Sequence, residues 1–392
     1  MKKSIRDFHL AHKKVIIRSD LNVPLQNGKI VDDTRIKKSV ETIQYAINQQ
    51  AKVIVLSHLG RIKEEADKKK NDLKPVAKRL SELLEKKVIF IPFTRGKEVE
   101  QAIANLKEGQ VLLLQNTRFE DLDGKKESQC DMELAKYWAN LGDIFINDAF
   151  GTLHRKHASN VGIASYLPSG IGFLVEKEIT ALDTVKKPKR PFVIVLGGGK
   201  VHDKIPLIKN LLPKCDQLLI GGGMAFTFLQ AEGYEVGNSL VDVDSLSFCQ
   251  EIVKKYATKI ILPIDIHCNT AMEDQPGKMK DINELEFNDI GLDIGQKTIQ
   301  LFKKYLTSAK MVVWNGPLGV YELSNYAKGT EEILKYLAEK QIKTIVAGGD
   351  IVAVATNLHI EDQLYHVSTG GGATLKYLEG TSMPGLEKIE EE

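Results

Sequence analysis

Short apolar runs alternate with amphipathic stretches along the whole chain. In the first half they are Val15-Ile16-Ile17, Val53 to Leu56, Val88 to Ile91, Val111 to Leu114 and Ile144-Phe145-Ile146. In the second half they are Phe192 to Leu196, Leu218-Leu219-Ile220, Ile260-Ile261-Leu262, Met311 to Trp314 and Thr344-Ile345-Val346. Between them, stretches such as Thr34 to Asn48 place Ile36, Val40, Ile43 and Ile47 on one face, the spacing of a helix. Strands that are apolar at every position need cover on both faces, which parallel sheets get from crossover helices. Two sets of runs predict an α/β protein of two lobes, each a doubly wound parallel sheet. Pro168, Gly170 and Gly172 precede a helical pattern at about 173–185, which Lys186-Lys187-Pro188-Lys189-Arg190-Pro191 follows. This predicts a first domain over 1–170 and a second over 171–382, joined by that helix as part of a hinge.

Rossmann-like sheets bind ligands beyond the carboxyl ends of their strands, so the residues after each run carry the argument. In the first half these bring Asp20, Asn22, His58, Arg61, Arg118 and Arg155, and Arg35 opens the next helix. Only nine arginines accompany the many lysines, and Arg190 is the last of them. In a lysine-favouring chain, the arginines that remain should include those needed for planar, bidentate grip on carboxylate or phosphate. The first half therefore reads as a cationic basin for a small, multiply anionic ligand, with Asp20 and Asn22 free to bond a hydroxyl. His154 and His157 have no cysteine or carboxylate cluster beside them and are not read as metal ligands.

The strand ends of the second half are rich in glycine: Gly197-Gly198-Gly199-Lys200, Gly221-Gly222-Gly223, Asn315-Gly316-Pro317-Leu318-Gly319, Gly348-Gly349-Asp350 and Gly370-Gly371-Gly372. Glycines let backbone N–H groups approach phosphate oxygens, and a helix N-terminus adds its dipole. Lys200 and Lys204 could neutralise phosphate charge, and Asp350 could hold Mg²⁺. Neither the G-x-x-x-x-G-K-[ST] loop nor the G-x-G-x-x-G dinucleotide fingerprint is present, which argues against a nicotinamide-dependent dehydrogenase. A net charge of +2 gives no reason to expect a nucleic-acid or membrane partner. Cys130, Cys215, Cys249 and Cys268 contain no C-x-x-C pair and read as reduced, and the N-terminus lacks the apolar core of a signal peptide. A cytoplasmic protein is expected.

At this point the motifs match a family. VIIRSDLNVP (15–24), SHLGR (57–61), QNTRF (115–119), NDAFGTLHRKHAS (147–159), GFLVEKE (172–178), GGGKVHDK (197–204), GGGMAFTFL (221–229), VWNGPLGVYE (313–322), GGD (348–350) and HVSTGGGA (366–373) resemble the signatures of phosphoglycerate kinase. The resemblance runs in order over essentially the whole chain. It implies reversible phosphoryl transfer between ATP and 3-phosphoglycerate with Mg²⁺, after a hinge-bending closure, in a protein expected to be a monomer. It assigns Asp20, Asn22, Arg35, His58, Arg61, Arg118 and Arg155 to phosphoglycerate. It assigns Gly198, Lys200, Lys204, Asn315, Glu322, Gly348, Gly349, Asp350 and Ile351 to the nucleotide, with Glu322 toward the ribose and Asp350 toward the metal. Arg35, Lys200 and the Gly371 loop are implied around the moving phosphoryl group, and the tail from Met383 to 392 is implied to return to the first lobe. The chain departs from the family at Leu21 (usually Phe), Gln115 (Glu), Gly199 (Ala), His202 (Ser) and Ile351 (Thr or Ser). The last of these removes a hydroxyl beside the expected metal–phosphate site.

Overall fold

Each apolar run of the first half lies in one parallel sheet. The computed structural model describes residues 2–391. The strands are β1 (Lys14–Ser19), β2 (Lys52–Leu56), β3 (Val88–Ile91), β4 (Val111–Leu114), β5 (Ile144–Asp148) and β6 (Ser169–Ile171), ordered β3-β4-β2-β1-β5-β6. Alternation explains why the runs are apolar throughout. Val15, Ile17, Val53, Val55, Val111 and Leu113 pack on one face with Ile36, Ile43 and Ile47 of the helix Thr34–Asn48. Ile16, Ile54, Leu112, Leu114 and Phe145 pack on the other, with Val99, Leu134 and Trp138. Burying each such Ile or Leu contributes about 1.5–3 kcal/mol, so a polar residue on either face would be costly.

The second half contains β7 (Phe192–Leu196), β8 (Gln217–Ile220), β9 (Ile260–Ile261), β10 (Asp265–Asn269), β11 (Lys278–Asp281), β12 (Ile290–Ile294), β13 (Met311–Asn315), β14 (Thr344–Ala347) and β15 (His366–Val367). Six of them form a parallel sheet in the order β9-β8-β7-β13-β14-β15. In each main sheet the first strand is central, flanked by β2 and β5 or by β8 and β13, and the crevice for ligands opens where the winding reverses. The remaining three form an antiparallel sheet, β11-β10-β12, that the run pattern does not predict. Its strands carry His267, Lys278, Lys280 and Asp293 and are not continuous apolar runs. The short edge strands β6 and β15 escape notice for the same reason.

Contacts divide the chain into two compact units, Met1–Thr180 with Ser382–Glu392, and Ala181–Thr381. The change falls inside the helix Phe173–Asp183, ten residues later than the 170 boundary expected from the glycines. The reason is β6, which pairs with β5, and Phe173, which packs in the core of the first unit. The C-terminal segment belongs to the first unit: Gly385 N–H donates to the Leu153 carbonyl at 2.9 Å, and Ile389 is buried.

Candidate active site

β1 ends at Ser19 and turns at once into Asp20-Leu21-Asn22. Asp20 is 4% exposed and accepts a 2.6 Å ion pair from Arg35 Nη1, in the first turn of the helix Thr34–Asn48. Asn22 Oδ1 accepts from Gly60 N–H at 2.8 Å, and Leu21 N–H donates to Ser57 Oγ at 2.9 Å, which ties this turn to the loop after β2. Asn116, fully buried after β4, uses its whole amide in the same loop. Its Oδ1 accepts from Leu59 and Arg118 N–H at 3.1 and 3.0 Å, and its Nδ2 donates to the Leu59 and Asn71 carbonyls at 2.7 and 3.0 Å. After β5, Asn160 Nδ2 donates to the Thr152 and Arg155 carbonyls at 3.0 and 3.1 Å. Backbone bonds to buried asparagines thus fix the loops bearing His58, Arg61, Arg118 and Arg155.

Electrostatics shows that these side chains share one environment. Burial pushes His58 well below the usual imidazole range, and Arg18, Arg118, His157 and Arg35 push it the same way. Burial also lowers the Arg118 guanidinium, and Arg155 and Arg61 add to that against Asp121 and Glu127. Arg118 Nε is buried with no partner, an unpaired donor in a cationic basin. Arg61 and Arg155 are exposed, and Arg155 Nε bonds His154 Nε2 at 3.0 Å. His157 is pushed down to about 3, chiefly by burial and then by Arg18 and Arg118. Four other arginines, Arg6, Arg79, Arg95 and Arg190, are engaged in ion pairs with Glu176, Asp33, Glu120 and Asp216.

In the second unit the glycines sort into two kinds. A Cβ on Gly197 would lie 2.0 Å from the Pro317 carbonyl oxygen, and one on Gly222 would lie 2.7 Å from Gly198 N. Those glycines let three strand-end loops pack on one another, joined by Gly198 N–H to the Pro317 carbonyl and Met224 N–H to the Gly198 carbonyl. Gly198, Gly349, Gly371 and Gly372 face open space instead, and a Cβ on Gly348 would strike Asn315 Nδ2. Open glycine at the start of the helix Gly349–Asn357 leaves the N–H groups of its first turn accessible to an anion. Lys204 Nζ donates to Asn315 Oδ1, and Asn315 Nδ2 holds the Ala347 carbonyl, so the loops after β7, β13 and β14 are connected. Burial lowers Lys204, while Asp203, Asp350 and Glu379 pull it back up. Lys200 and Glu322 are exposed, and Glu322 and Asp350 both act on Tyr321.

Asp350 is exposed in the first turn of its helix, and among the described residues no group of three His, Cys, Asp or Glu could hold a metal alone. A single carboxylate fits magnesium, which keeps water and phosphate oxygens as its other ligands. Ile351 departs from expectation. Its side chain is fully buried in the core with Val354 and Ala355, so beyond its backbone it brings no polar atom to the site. Of the other departures, Leu21 is core, and Gly199 leaves room for an alanine, 3.5 Å from Leu240 Cδ2. Gln115 Oε1 accepts from Leu73 and Asn116 N–H while its Nε2 donates to Asp72 Oδ1 at 3.1 Å, a contact that a glutamate would turn into repulsion. Exposed Leu240, beside Gly199 and Gly223, had no signal in the sequence beyond its being apolar.

Two doubly wound units, one with an arginine–histidine basin and one with open glycine loops and lysines at the strand ends, define an α/β protein equipped for anionic ligands. The chain belongs to the phosphoglycerate kinase family, whose sequence model matches residues 5–381. It is 52% identical over 393 residues to a phosphoglycerate kinase of Listeria monocytogenes, covering 100% of this chain and 99% of that one. It is also 52% identical over 395 residues to the Fusobacterium nucleatum protein of the same name, covering 99% of each. Among solved structures, phosphoglycerate kinase from Coxiella burnetii superposes with a TM-score of 0.90 at 39% identity, over 99% of this chain and 98% of that one.

Proposed function

We propose that the protein catalyses reversible phosphoryl transfer between ATP and the 1-carboxylate of 3-phosphoglycerate, so that 1,3-bisphosphoglycerate and ADP yield 3-phosphoglycerate and ATP. The observation that carries this reading is the shared environment of Arg35, His58, Arg61, Arg118 and Arg155 in a chain of this family. Arg61, Arg118 and Arg155 neutralise the substrate phosphate, and Asp20 and Asn22 orient its hydroxyl. Both possible nucleophiles, a carboxylate and an ADP phosphate oxygen, are already ionised at neutral pH, so no general base is needed. Catalysis is then positioning and charge stabilisation, by Arg35, Lys200 and the N–H groups of the Gly371 loop. Gly198, Gly348, Gly349, the Ile351 N–H, Asn315 and Lys204 hold the nucleotide phosphates, and Glu322 holds the ribose. Asp350 holds the magnesium that accompanies the nucleotide and offsets its charge. The acceptor and nucleotide residues belong to different units, so the proposal includes in-line transfer after a hinge-bending closure that excludes water.

The proposal also takes the enzyme to be a cytoplasmic monomer acting on small molecules, without nucleic-acid or membrane partners. A net charge of +2 gives no reason to expect a nucleic-acid or membrane-surface partner, and among the described residues no helix is long and apolar enough to cross a membrane. The test is ATP-dependent phosphorylation of 3-phosphoglycerate coupled to NADH oxidation, repeated across magnesium concentrations. Turnover that requires both ATP and magnesium is expected, and folded protein without turnover would refute the reading.

A further inference from the structure

Arg18 lies in β1, fully buried beneath the basin, and each of its three guanidinium nitrogens has a partner. Nε donates to Ser159 Oγ at 2.8 Å, Nη1 to the Ser19 carbonyl at 2.6 Å, and Nη2 meets His58 Nδ1 at 3.1 Å. Ser159 is itself held by buried Glu127, through its N–H at 2.9 Å and through its hydroxyl. Arg18 therefore has no room to turn away. A guanidinium carries only donors, so the contact with His58 works only if Nδ1 offers its lone pair. A neutral imidazole with that lone pair carries its proton on Nε2. Protonating Nδ1 would break the bond and set two cations 3.1 Å apart. The other groups facing His58 oppose a second proton too: Arg35, Arg118 and His157 all disfavour it. Asp20 is occupied by Arg35, and Glu127 by Ser159.

We propose that Arg18 is a positioning residue that locks His58 as the neutral Nε2–H tautomer, so that this histidine offers the substrate one aimed hydrogen-bond donor and no charge. This role in binding rests on the assignment of the basin to phosphoglycerate. The lock itself does not, because it exists in the free enzyme. It separates the work of the basin: the arginines supply charge, and His58 supplies direction at a pH-independent setting.

The test is two-bond ¹H–¹⁵N correlation of histidine-labelled free enzyme, with the His58 signals assigned by loss in His58→Gln. The expected pattern is Nε2–H with an unprotonated Nδ1, unchanged from about pH 8 to about pH 5.5. An Nδ1–H tautomer, or an imidazolium at neutral pH, would overturn the proposal. Arg18→Met should mix the tautomers, while burial, Arg118, His157 and Arg35 still keep His58 neutral over that range. It should also raise KM for 3-phosphoglycerate about tenfold, with kcat less affected. An Arg18→Met protein with the wild-type Nε2–H tautomer and wild-type KM would also sink it. Should that variant not fold, Arg18→Lys, which keeps a buried cation and donor, is expected to retain the Nε2–H pattern, and loss of that pattern in folded Arg18→Lys counts against the lock. Absence of turnover in the coupled assay would defeat the proposed reaction while leaving the tautomer result standing, so the two failures are distinguishable.

Discussion

Arg35 keeps a third of its side chain in solvent (33% exposed), but its ion-pair partner Asp20 is buried, so losing the guanidinium leaves a buried carboxylate without its counter-charge. Arg35→Ala is expected to lower kcat at least about a hundredfold, as loss of a transition-state donor does, while circular dichroism stays near wild type and the melting temperature falls modestly because Asp20 loses its partner. A kcat near wild type would take Arg35 out of catalysis. Asp148 is a different kind of residue. It ends β5 and caps the helix Phe173–Asp183, its Oδ1 accepting from Leu174 and Val175 N–H at 2.9 and 3.3 Å, while the whole carboxyl is buried. Burial pushes this carboxyl from 3.8 up to about 7, against the pull of Thr42, Val175 and Leu174. Between those values the folded protein keeps a proton that the unfolded chain releases, so the contribution is full below the lower value and lost as pH rises through the upper one. Asp148→Asn keeps the acceptor and removes the charge. The variant should therefore gain in melting temperature relative to wild type as pH rises from about 5 to about 8. Asp293, likewise raised to about 7, is present in both proteins, so the difference isolates Asp148.

Among the loops, Asn116 shows how a side chain that touches no ligand sets those that do. Its four hydrogen bonds hold Leu59, Asn71 and Arg118, the frame around His58 and Arg61. Asn116→Ala strands several buried backbone groups and should cost about 2–4 kcal/mol in denaturant unfolding, with KM for 3-phosphoglycerate rising as the loop loosens. The glycine loops give a sharper contrast. Gly197→Ala drives a methyl into the Pro317 carbonyl and should destabilise by about 3 kcal/mol, whereas Gly349→Ala meets nothing and should change stability by no more than about 0.5 kcal/mol. Gly349→Ala should instead weaken ATP, seen as a higher KM for the nucleotide alone. Equal stability losses in the two variants would contradict the division into packing and ligand-facing glycines. In the sequence both kinds look the same, because what distinguishes them is the distance to another loop.

On the scale of the whole molecule, the first unit is closed by the last residues of the chain. Lys3 N–H donates to the Glu390 carbonyl at 2.9 Å, Met383 and Ile389 are buried, and Gly385 bonds Leu153 in the loop that leads to Arg155. Deleting Ser382–Glu392 should therefore raise amide exchange around residues 144–171, far from the cut in sequence, and leave β13 and β14 protected as before. Uniform loosening of both units would contradict this. Much of the architecture was legible in advance: each of the ten apolar runs falls in a strand of the two main sheets, with only Leu262 just past the end of β9, because a strand covered on both faces takes apolar side chains except where a buried polar group, as at Arg18, finds hydrogen-bond partners. The arginines after β2, β4 and β5 were legible because a lysine-rich chain keeps arginine where planar geometry matters. Tertiary structure alone decided the rest. It turned Ile351 inward, moved the unit boundary into a helix, and added a sheet whose strands carry no apolar run. It also joined Arg18, Ser159 and Glu127 across more than a hundred residues, into a contact with His58 that no local pattern announces. Periodicity is a local property of a chain, so the sequence by itself determined the elements and the chemistry at their ends. Hydrogen-bond partners and the space around a glycine depend on segments brought together by folding, so only the tertiary structure decided which of those residues act together.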